Sequence, residues 1–138
     1  MTSLIINTLF KELISALFGS LLGALLIQAC VNIICKFKPS FLISYLAFFI
    51  VSLIYIITSV LIELLFGVPI GGKALLMPTL VKIAFFIFIS TGINGVLIKD
   101  ESSVEIGFKK GFFIVLLELF FLSLVILLLV ILLALTRK

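Results

Sequence analysis

Histidine is missing from this chain of 138 residues, and cysteine occurs only twice, at Cys30 and Cys35. Without histidine, the usual donor sets for zinc or haem cannot be assembled, and no cofactor is implied. On a helix, Cys30 and Cys35 point about 140° apart, so they cannot bridge within it. They read as small apolar side chains in a packed interior. Nucleophilic catalysis also lacks its parts, because there is no base beside a serine and no G-x-S-x-G. Charge is scarce, at 12% of residues, against about 25% in soluble domains. The three prolines, Pro39, Pro69 and Pro78, fall at the connections between long apolar runs, which leaves those runs unbroken.

What fills the sequence instead is apolar side chain, 64% of residues, with a mean hydropathy of +1.57. A chain this short cannot bury that much apolar surface in one aqueous core. Lipid is therefore the expected solvent, and the fold class is an all-α integral membrane protein. A bilayer core needs about 20 apolar residues per helical span. Four stretches qualify: 13–35, 41–66, 79–98 and 112–135. They predict a four-transmembrane-helix bundle in a single membrane domain covering 1–138. Its expected location is multi-pass, in a prokaryotic cell membrane.

Residues 1–12 carry a narrow polar stripe, Ser3, Asn7 and Lys11, continued by Ser15. This predicts an interfacial amphipathic segment or the wet end of a long first helix. No basic residue precedes Lys11, and Lys11-Glu12 interrupts the apolar stretch, so the first helix is expected to be retained rather than cleaved. The net charge of +4 is spread over helix ends, with no basic stripe and interleaved aromatics, so nucleic acid is not an expected partner. Lys36, Lys38, Lys99, Lys109 and Lys110 belong to one side; Lys11, Lys73, Lys82, Arg137 and Lys138 belong to the other. That balance gives no positive-inside bias and leaves the orientation to a partner subunit or to dual insertion.

Three local patterns invite readings. Gly67, Gly72 and Lys73 fit the front of a phosphate-binding loop, but Ala74 lacks the hydroxyl that would hold Mg²⁺ and an apolar helix replaces the strand. A glycine turn with a lysine at the headgroups is the better reading. Ser102 followed by Glu105 predicts a capping box that starts the fourth helix early. The segments 37–46 and 108–117 match at five of ten positions, which would make the protein two similar helical hairpins.

The polar residues inside the spans remain. Counted from the 36–40 and 99–111 connections at about 1.5 Å per residue, Glu118 lies about 9 Å deep, Gln28 and Asn32 about 10 and 5 Å, and Ser90, Thr91 and Asn94 about 12, 10 and 6 Å. Gln28 and Asn32 share a helix face, as do Ser90, Thr91 and Asn94. A charge at such depth normally faces protein or water. The expectation is an intramembrane polar layer of Glu118, Asn94, Thr91, Ser90, Gln28 and Asn32, acting as hydrogen-bonding glue, as a proton- or cation-responsive gate, or as a docking point. Glu63 and Lys82 lie level near the other side and are expected to form an ion pair. Gly19 and Gly23 make a G-x-x-x-G that predicts a helix-packing face.

Two kinds of small four-helix membrane protein match in size only. Those that relay electrons from thiols use a C-x-x-C, which is absent; small multidrug exporters keep their membrane glutamate in the first span, and Glu118 is in the fourth. The favoured reading is a non-enzymatic structural or accessory subunit of a homo- or hetero-oligomeric complex, with the lipid bilayer and other membrane subunits as partners. The alternative is a small dimeric ion or solute transporter or channel with Glu118 as its coupling residue.

Overall fold

The computed structural model describes residues 2–67, 76–100 and 102–136, with backbone alone for 2–5. It is all-helical, with four helices: α1 (Thr2–Cys35), α2 (Phe41–Leu65), α3 (Leu76–Leu97) and α4 (Gly107–Thr136). Each is long and apolar enough to cross a bilayer.

The chain ends and starts its helices by ordinary local chemistry. Ser40 caps α2, its hydroxyl accepting from the Ile43 backbone N–H at 3.3 Å. Pro78 stands in the first turn of α3, where its missing N–H would have had no helical partner. Between α3 and α4 the Asp100 carboxylate accepts from the backbone N–H groups of Ser102 (2.9 Å) and Val104 (3.0 Å). That tight turn lets Ile106 N–H reach Ile98 carbonyl at 3.1 Å.

The helices run up, down, up, down. Along the described residues α1 packs on α2, α2 on α3, α3 on α4 and α4 back on α1, while the diagonal pairs do not meet. The core lies toward the 36–40 and 98–106 connections, where Ile27, Cys30, Val31, Ala47, Ile98 and Ile114 are buried together. At the other end the bundle splays. In α1 the residues from Ile6 to Ser15 are exposed apart from half-buried Thr8, and α4 is exposed from Leu122 through Thr136.

Four expectations bear on these elements. First, residues 2–12 are the continuous start of α1, whose 34 residues extend about 51 Å; of the two readings of the polar stripe, the long first helix is the one found. Second, α4 does start ahead of the span expected from 112, at Gly107. Third, Ser102 and Glu105 form no capping box: Ser102 sits in the Asp100 turn, and the Glu105 backbone pairs antiparallel with that of Lys99. Fourth, the two matching segments differ locally, since Phe37 lies in a connection while Phe108 lies in the first turn of α4. The phosphate-loop-like stretch beyond Gly67 falls outside the described residues.

Candidate functional site

The deepest polar cluster is carried by α3 and α4. Ser90 and Asn94 are one turn apart on α3, with Thr91 beside them, and all three are buried. Glu118 of α4 is 8% exposed and turns into the bundle, where Asn94 Nδ2 donates to its Oε1 at 3.4 Å. That distance exceeds the usual range of about 2.7–3.2 Å, so the bond is weak. Among the described residues, Ser90 Oγ, Thr91 Oγ1 and Asn94 Oδ1 are buried with no hydrogen-bond partner.

The α3–α4 contact that sets this geometry depends on two glycines. A Cβ on Gly111 would come within 2.5 Å of the Thr91 carbonyl and 3.0 Å of the Gly95 nitrogen. A Cβ on Gly95 would meet the Gly107 backbone at 3.0 Å. Backbone therefore lies on backbone at the residues next to Ser90 and Asn94, and this is what brings Glu118 level with Asn94. The G-x-x-x-G pair Gly107 and Gly111 carried that signal in the sequence, just ahead of the stretch read as the fourth span.

The expected six-residue layer is divided. Ser90, Thr91, Asn94 and Glu118 come together. Gln28 is buried but faces elsewhere, its Nε2 donating to the Pro39 carbonyl at 2.8 Å and tying the α1–α2 connection onto α1. Asn32 is exposed and stands outside the layer. The reason is rotational. The buried seam of α1 runs through Ser20, Ala24, Ile27 and Val31, and Asn32 follows Val31 by about 100° around the helix.

The G-x-x-x-G of α1 also divides. Gly23 packs closely, its Cα so near the Phe48 ring that a Cβ would overlap the ring carbons. Gly19 has open space where a Cβ would be and lines a groove instead. Glu63 and Lys82 are joined, with Lys82 Nζ donating to Glu63 Oε1 at 2.5 Å, each 16% exposed. The pair ties the far ends of α2 and α3.

Three spaces surround the cluster. A groove of about 540 Å³ opens at the splayed end. Its lining is polar for a helix interior: Glu12 and Ser15 from α1, Ser52, Ser59 and Glu63 from α2, and Lys82 from α3. A second, apolar space of about 430 Å³ follows the α1–α4 seam along Leu22, Leu26, Leu119 and Val125 and reaches Glu118. The third is a small cavity of about 10 Å³, bounded by Ile27 and Val51 and by the polar trio Ser90, Asn94 and Glu118. Phe48 and Phe86 line all three, so these two rings separate the open groove from the buried carboxyl.

Among the described residues no group of three or more His, Cys, Asp or Glu side chains could hold a metal ion. Comparison with protein-family models, curated proteins and solved structures finds no match. The site must therefore be read from its own chemistry.

Proposed function

We propose that this chain is an integral membrane protein that works as a non-enzymatic subunit of an oligomeric membrane complex. The observation that carries this reading is the half-open bundle. The four helices close around a core at one end, while toward the other α1, α2 and α3 line a groove that carries serines and two carboxylates and takes no wall from α4. In a bilayer, polar groups at that level are costly when they face lipid tails, so protein or water must cover them. A second copy, or a helix from another subunit, closes the groove and supplies the missing wall. Lipid alone satisfies the apolar surface of α4 and leaves the groove unmet. The test is the mass of the purified protein–detergent particle in mild detergent. A particle containing two or more copies, or one copy with a stoichiometric membrane partner, supports the reading; a stable, monodisperse monomer that retains its thermal stability refutes it.

A second reading is favoured by one observation of its own. The groove, the seam and the Glu118 cavity share the walls Phe48 and Phe86. Water entering the groove would stand two rings away from a buried carboxyl, the arrangement of a gated half-channel. In that case the protein is a small transporter or channel with Glu118 as coupling residue. Replacement of Glu118 by glutamine separates the two: a transporter reconstituted in vesicles keeps its assembly and loses cation-dependent flux, whereas a subunit shows no flux in either form.

A further inference from the structure

The small cavity at Glu118 has chemistry that the subunit reading does not use. Each of its three polar walls offers an oxygen that can accept. Asn94 gives one of its two amide N–H groups to Glu118, while its Oδ1 is buried without a partner; an ionised Glu118 carboxylate accepts only, and the unpartnered Ser90 hydroxyl can accept or donate. Ser90 is 2% and Asn94 1% exposed, so bulk water cannot satisfy them where they lie. Among the described residues the charged pair is Lys82 with Glu63, and no cationic side chain reaches Glu118. A carboxyl group in such surroundings is neutralised by a proton or by a counter-cation. The cavity, about 10 Å³, accommodates about one water-sized occupant.

We propose that Ser90, Asn94 and Glu118 form a binding site for one small monovalent cation, of the size of sodium or lithium. Three oxygen ligands, one of them charged, suit a hard cation of single charge. A divalent ion would keep an uncompensated positive charge beside a single carboxylate. A lone water beside a protonated Glu118 would satisfy the same atoms, but it would not make stability depend on which cation is present. Bound there, the cation links α3 to α4 and completes the hydrogen-bonding deficit of Ser90 and Asn94. The inference goes beyond the subunit reading and does not depend on it.

The experiment is thermal unfolding of the full chain in mild detergent, read by helical circular dichroism, in choline chloride replaced stepwise by sodium, lithium or potassium chloride at constant ionic strength. A ligand that binds only the folded state raises the midpoint in a saturable way. Sodium or lithium should do so, and potassium should do so less. Ser90→Ala should move half-saturation several-fold upward while leaving the ion-free midpoint nearly unchanged. Glu118→Gln should abolish the ion dependence. Equal shifts with sodium, lithium and potassium, no shift in a well-folded wild type, or an undiminished shift in Ser90→Ala each overturn the proposal. If Glu118→Gln does not fold, Ser90→Ala decides. Oligomeric mass does not enter the measurement, so a negative result leaves the subunit reading standing.

Discussion

Gly111 is the residue on which the α3–α4 register depends, because the Thr91 carbonyl occupies the space of its absent side chain. Gly111→Ala must separate the two helices or tilt one, since backbone cannot yield as a flexible side chain can. Overpacking of a well-packed contact costs about 1–3 kcal/mol. A fall in the thermal midpoint is therefore expected for Gly111→Ala, and none from packing for Gly19→Ala, which meets open space. Equal midpoints for the two variants would sink the argument. The contrast also marks what the sequence could and could not say. Depth along a helix follows from counting, so Asn94 and Glu118 were legible as level neighbours. Azimuth does not follow from counting. Asn32 has the right depth and lies about 100° off the seam, and Gln28 turns to the Pro39 carbonyl because a connection folds over it. Nothing local to α1 distinguishes Gly19 from Gly23; the difference is where Phe48 of α2 happens to lie.

At the scale of elements, α2 and α3 are joined across the 66–75 connection by the Lys82–Glu63 pair. Each partner is 16% exposed, which places the pair between an exposed ion pair, worth about 0–1 kcal/mol, and a buried one, where loss of one partner costs about 3–5 kcal/mol. Removing one charge should cost more than removing both. Lys82→Met leaves a carboxylate in the groove without its cation and should destabilise by about 1–3 kcal/mol. Glu63→Gln with Lys82→Met together should recover much of that loss. A double-mutant cycle on the thermal midpoint measures the coupling, and additivity of the two single changes would show that the pair contributes nothing beyond its separate side chains. The pairing was readable from level positions and opposite sign on helices joined in sequence. That α4 begins ahead of 112 was readable too, but its capping was not, because the Asp100 turn draws the chain back onto Ile98 before the helix begins, and that return competes with the capping box that Ser102 and Glu105 would otherwise form.

At the scale of the whole molecule, a closed end and an open end imply two different solvents for residues on the same helix. Ala47 of α2 is fully buried in the closed core, and Ser59, three turns on, lines the groove. A cysteine at each place reports what surrounds it, because the thiolate is the nucleophile and forms only where water reaches. With Cys30 and Cys35 replaced by alanine, Ser59→Cys in membrane vesicles should react with a charged, membrane-impermeant thiol reagent from one side if the groove is wet. It should do so about tenfold or more faster than Ala47→Cys, given that thiolate requirement. If instead another subunit covers the groove, Ser59→Cys should be protected in the native membrane, form cross-links to its neighbour, and become reactive only once detergent separates the complex. Protection without any neighbour would leave polar groups against lipid, which the energetics of buried hydroxyls and carboxylates forbid at this density. The labelling pattern thus decides whether the open half is a vestibule leading toward Phe48, Phe86 and Glu118 or the face by which the chain joins its complex.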